Sequence, residues 1–209
     1  MVKTLLSLII FSFVFWSCST PEKQPAIVEL NLKIADILSQ TDGDFAVAFK
    51  DLNSGDTLFF NAGQHFHAAS TMKTPVMIEV YNQVDSGLIS LDDYMVVKDS
   101  FKSIVDGSDY TLSVSDDSED GLYSLLGSKI SVRELMYQMI TKSSNLATNM
   151  LIELVGANNV MVTLKQMGAY DMKVLRGVED IKAFDLGMNN TTTAYDLMVV
   201  FEAIGNRSV

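Results

Sequence analysis

A serine three residues ahead of a lysine, Ser70 and Lys73 in the stretch HAASTMKTPVM, is the pair in this chain best placed for covalent chemistry. A serine hydroxyl is a weak nucleophile at neutral pH and needs a neighbouring group to take its proton. Three residues apart on a helix, the two side chains share one face, one turn along. A lysine drawn out of water can lose its proton near neutrality and serve as the base. A helix starting at Ser70 would also turn backbone N–H groups and the positive end of its dipole toward an anionic intermediate. The plainer alternative is a capped helix start, for which serine is a favoured residue.

Two further places carry polar groups between ordered segments. Ser143, Ser144 and Asn145 separate two helical patterns, which puts them on a tight loop; taken alone they are ordinary turn and cap residues. Glu179 lies in an irregular stretch of roughly fifteen residues, and loops of that length inside compact domains are usually functional or disordered. Its carboxylate is either a base or simply solvated. His65 and His67 alternate and so share a strand face, but no third ligand cluster accompanies them, and no metal site is expected. The acidic run Asp116 to Asp120 lacks the spacing of a calcium loop and reads as a solvated turn.

The elements that must position these groups follow from periodicity. AIVELNLKIADIL has the three-and-four spacing of an amphipathic helix. FAVAFKDLNSGDTLFFNA reads as two short strands around Asn53-Ser54-Gly55-Asp56, a β-hairpin. The helix after Ser70 holds Pro75 in its first turns, where a missing N–H costs little, and Gly87 as its left-handed cap. Residues 99–128 form a Ser- and Asp-rich excursion. Ser131 and Glu134 make a capping-box pattern ahead of a stripe of Val132, Leu135, Met136, Met139 and Ile140, whose methionines are expected in the core. A last helix enters at the threonines 191–193, with Ala194, Leu197, Met198, Phe201 and Ile204 on one face.

Composition bounds what these elements can serve. With 209 residues, 48% of them hydrophobic, the chain can bury one sizeable core or two close lobes. A formal charge of −11 argues against nucleic acid, whose binding needs Lys and Arg to neutralise phosphates. At the N-terminus one lysine precedes an apolar run of roughly a dozen residues, then Ser17 and Cys18, the single cysteine. This resembles a bacterial lipoprotein signal over 1–17, with Cys18 lipidated and 18–26 a tether, and it implies export and membrane attachment through the lipid alone. A cleaved signal with an incidental thiol is the alternative.

STMK at 70–73, SSN at 143–145, Glu179 in a loop and NNTTTAYDL leading into a helix together resemble the class A β-lactamases and related penicillin-recognising serine hydrolases. Ser143 follows Ser70 by 73 residues, longer than usual in that family, and Glu179 follows Ser143 by 36, which is similar to the family's separation. The resemblance covers 27–209 and implies an α/β (α+β) fold, a helical lobe with an antiparallel sheet. It implies a cofactor-free monomer acting on a small-molecule β-lactam or peptidoglycan-like substrate. In that reading Ser70 forms the acyl-enzyme, Lys73 or Glu179 acts as base, Ser143 passes a proton to the ring nitrogen, Asn145 holds the substrate amide and Glu179 activates the deacylating water. Ser144 stands where the family has Asp, and Ala183 where it has the water-holding Asn, which implies slow deacylation or a differently held water. The K-T-G strand does not occur before Val209, so a truncated domain, unstable or inactive as written, is the expectation. Two other readings are a penicillin-binding-protein-like D-Ala-D-Ala peptidase or esterase, and a non-catalytic envelope lipoprotein.

Overall fold

The computed structural model describes the backbone of residues 25–209 and side chains from residue 27. The expected signal segment, Cys18 and nearly all of the tether lie outside the described residues.

Two blocks of structure form, and each follows from local sequence. The first is the hairpin of β1 (Val47–Lys50) and β2 (Thr57–Phe60), closed at 51–56 with Asp51 accepting the N–H groups of Asn53 and Ser54. Helix α1 (Pro25–Ser39) packs on β2, and α7 (Ala194–Gly205) packs on β1, tied by the Lys50–Glu202 ion pair. The second is helical: α2 (Lys73–Asp85), α3 (Val132–Thr141), α4 (Asn145–Val155) and α5 (Ala157–Met167). Their core includes Met72, Val76, Val80, Leu135, Met139, Leu146, Met150, Leu151 and Leu164, each at most 1% exposed. Burying one such side chain contributes about 1.5–3 kcal/mol, so α4, with three of them, is firmly anchored. A left-handed Gly87 at φ 70° ends the α2 region as expected.

Antiparallel strands are present as four separate pairs rather than one sheet. Besides β1–β2, these join β3 (Phe66–His67) to β8 (Thr191–Thr192), β4 (Tyr94–Val96) to β7 (Lys129–Ser131), and β5 (Ser100–Lys102) to β6 (Asp109–Thr111). The β3–β8 pair brings the end of the Glu179 loop beside the strand that leads into Ser70: His67 faces Thr191, and the Ala68 N–H donates to the Asn190 carbonyl at 2.9 Å.

Two expectations need correction. On α3 the stripe holds for Val132, Leu135, Met136 and Met139, but Ile140 is 41% exposed because α4 packs over the neighbouring face. On α7, Ala194, Leu197, Met198 and Phe201 share one face as expected and line a groove beside β1, while Asp196, Val200 and Ala203 are the buried residues. The buried Asp196 carboxylate accepts the Asp171 N–H at 2.9 Å, and burial raises its pKa. The acidic run is not a solvated turn: the Asp117 carboxylate sits on the N-terminus of α4.

Candidate active site

Ser70 does not cap a helix. It lies in a 3₁₀ turn, Ala69–Met72, that runs straight into α2, and neither start has a side-chain cap. Its Oγ instead meets Ser143 Oγ at 2.9 Å. Lys73, the first residue of α2, is 3% exposed and donates its Nζ to the Ser143 carbonyl (2.5 Å), Ser143 Oγ (3.0 Å) and Asn145 Oδ1 (3.1 Å). The lysine is therefore joined to Ser70 through Ser143, not directly as the helical spacing alone suggested. Burial lowers the Lys73 pKa to about 8, with the Asp117 carboxylate pulling the other way.

Ser143 and Asn145 occupy this position because the chain turns sharply between α3 and α4. Ser143 has φ 57°, Ser144 caps α4 by accepting the Ala147 N–H at 3.2 Å, and Asn145 opens the helix. Among non-glycine residues, positive φ also occurs at Ala69 (44°), beside Ser70, and at Glu179 (62°), and away from the site at Asn61 and Arg207. Strained backbone of this kind persists only where its surroundings over-determine it, and it gathers at functional sites.

Glu179, Ser70 and Asn145 line one cleft of about 350 Å³ together with His67, Arg176 and Asn190. Among the described residues, Ser70 is joined to Lys73 through Ser143, Asn145 accepts from Lys73 directly, and none of them bonds the Glu179 carboxylate. The four predicted groups thus share one site, with the glutamate on a separate wall. His67 accepts the Ala69 N–H through Nδ1 at 3.1 Å, a backbone-supporting role. No group of three or more potential metal ligands occurs among the described residues.

The Glu179 wall is held by Asn149, Asp180 and Asn190, which sequence reading did not single out for this role. Asn149 on α4, 2% exposed, accepts the Val178 N–H at 2.7 Å and donates to the Val178 carbonyl at 3.0 Å and Tyr110 Oη at 3.2 Å. Burial raises the Tyr110 pKa to about 12, so the phenol stays protonated. Asp180, 1% exposed, accepts from Ser103 Oγ and the Ile104 N–H, both at 2.9 Å, which ties the loop to the turn between β5 and β6. Asn190 accepts the Leu175 N–H at 2.8 Å and returns a bond to the Arg176 carbonyl at 3.0 Å. Ala183, on the short α6 (Ile181–Asp185), is fully buried and donates its N–H to Asp180. The one local signal was Gly177, where a Cβ would stand 2.3 Å from Asn149 Oδ1. Gly177→Ala should push the Asn149 amide off Val178 at a cost of about 1–3 kcal/mol. Thermal unfolding should show a fall in Tm of roughly 2–10 °C; an unchanged Tm would mean that Asn149 does not key the loop.

A serine, a buried lysine, a second serine and a loop glutamate around one cleft are the parts of a serine acyl-transfer enzyme. Residues 29–209 match the model of the β-lactamase enzyme family, and the chain belongs to that family. It is 24% identical over 130 residues to β-lactamase VEB-1 of Pseudomonas aeruginosa, a match covering 62% of this chain and 40% of the relative. Among solved structures it resembles a β-lactamase from Sphaerobacter thermophilus, with TM-score 0.65 and 25% identity over 87% of this chain and 62% of that one. It also resembles PBP-A, with TM-score 0.67 and 26% identity over 85% and 62%. The chain therefore spans less than two thirds of the length of these relatives.

Proposed function

We propose that the protein hydrolyses β-lactams through an acyl-enzyme on Ser70. The observation that carries this reading is the hydrogen-bonded chain Ser70 Oγ, Ser143 Oγ, Lys73 Nζ, opening on a cleft that Glu179 also lines. Ser70 Oγ attacks the lactam carbonyl while its proton passes through Ser143 to neutral Lys73. The ring C–N bond then breaks, and Ser143 returns a proton from Lys73 to the departing nitrogen. Water deprotonated by Glu179 cleaves the ester and frees Ser70, so the sum is addition of one water. Asn145, held by Lys73 through its Oδ1, stands at the cleft edge to position the substrate amide.

If neutral Lys73 is the acceptor, acylation rises with pH as the amine loses its proton and levels off above about 8. The check is the rate of penicillin adduct formation by mass spectrometry between about pH 6.5 and 9.5. A flat profile would remove Lys73 from that role.

A second reading has one specific support. Ala183 is buried where the family has its water-holding asparagine, and a mutant of PBP-A is known as an acyl-enzyme complex with penicillin G. On that reading the adduct on Ser70 is long-lived and the protein is a peptidase-like penicillin acceptor. The decay of the adduct in time separates the two.

A further inference from the structure

The segment 113–120 lies outside the catalytic groups read from sequence, yet it makes several hydrogen bonds to the loop between α3 and α4. Asp117 Oδ1 accepts the Asn145 N–H at 2.8 Å, and Oδ2 accepts the Leu146 N–H at 2.8 Å. Tyr123 Oη donates to Oδ2 at 3.2 Å, and Ser144 Oγ reaches it at 3.4 Å. Beside it, Asn145 Nδ2 donates to the Asp116 carbonyl at 2.9 Å, and Ser118 Oγ reaches the Ser143 carbonyl at 3.4 Å. A carboxylate receiving two backbone N–H groups at a helix N-terminus makes charge-assisted bonds, reinforced by the dipole of an eleven-residue helix.

These contacts bear on the departure at Ser144. The family pattern carries a carboxylate between the serine and the asparagine; here that position is a fully buried serine whose hydroxyl points to a carboxylate from 27 residues earlier. We propose that Asp117 is the positioning residue of the site, supplying from a separate segment the carboxylate that Ser144 lacks, and so fixing Ser143 and Asn145 against Lys73. It rests on the hydrolase reading above for its effect on rate, and for the positioning on the Asp117 bonds to the Asn145 and Leu146 N–H groups and on the bond from Lys73 to Asn145.

The charge that acts on the Lys73 amine is Asp117 from the 113–120 segment; Ser143 Oγ and Asn145 Oδ1 accept from the amine directly, and Glu179 lines the cleft with Ser70 and Asn145. Of these, the Asp117 charge holds the Lys73 pKa up against desolvation. Its removal lets the pKa fall further, and the pH at which acylation levels off falls with it.

The test is Asp117→Asn, which keeps shape and removes charge. Lys73, followed by NMR of ¹³C-labelled lysine, should titrate at lower pH than in the unmodified protein, and acylation by penicillin G should slow ~10- to 100-fold. Adding Ser144→Asp to that variant should restore most of the rate and move the lysine back up. A Lys73 titration unchanged by Asp117→Asn overturns the proposal, as does failure of the second substitution to restore either quantity. Should Asp117→Asn unfold the domain, the double variant carries the test: it folds if a carboxylate from either segment suffices, and its unfolding overturns the proposal. The titration needs no substrate, so absence of acylation in the unmodified protein would defeat the hydrolase reading while the Asp117 result still stands or falls by itself.

Discussion

Ser70→Ala should abolish the penicillin adduct expected on this residue and lower the proposed β-lactam turnover roughly 10⁴-fold or more, with little change in Tm. The first half follows because the alanine leaves no atom able to form the ester, and the remaining groups cannot share out its work: a nucleophile and its proton relay act as a unit. The second half follows from exposure. Ser70 lies open on the cleft, and its side chain makes one bond, to Ser143 Oγ at 2.9 Å. Ser143 keeps its bond from Lys73 at 3.0 Å when that partner is lost, and a surface truncation of this kind stays within about 0.5 kcal/mol. Intact-mass spectra beside a melting curve make the measurement. An adduct that persists in Ser70→Ala, on Ser143 for example, would show that the wrong hydroxyl has been made the nucleophile.

How much of this site could be read in the chain depends on how far each link runs along it. Ser131 and Ser144 act as helix caps three residues from their N–H partners, and the helices they start are plain in the hydrophobic spacing. The pairing of Ser70 with Lys73 on one face was legible for the same reason. What local spacing could not show is that Ser143, 70 residues from Lys73, would stand between the amine and the nucleophile. Nor could it show Asp117 on the N-terminus of α4, because an acidic run with no periodicity looks alike whether it is solvated or capping a distant helix. The apolar stripe of α7 was legible and lines a groove beside β1; the deeper burial of Asp196 was not, because the Asp171 N–H it accepts lies 25 residues away. Meeting that donor matters, since an unmet buried donor costs about 1–3 kcal/mol, comparable to burying one aliphatic side chain.

Glu179→Gln should leave acylation within a few-fold of the unmodified protein and slow deacylation by about 10²- to 10⁴-fold, so that the penicillin adduct accumulates. The separation of the two steps is dictated by placement. The acylating relay, Ser70 to Ser143 to Lys73, is complete without the glutamate, and the glutamate lines the same cleft on a wall built by other residues. A glutamine keeps the size of the side chain and the backbone at φ 62°, which the flanking Asn149–Val178 and Asp180–Ile104 bonds hold in place. It loses only the capacity to take a proton from water. The adduct half-life, read after removal of excess penicillin, decides the matter. Equal lifetimes with and without the carboxylate would mean that Glu179 is not the deacylating base. Two equally long lifetimes would favour the peptidase-like reading, in which Ala183, at the family's asparagine position, leaves the ester with no well-held water to meet.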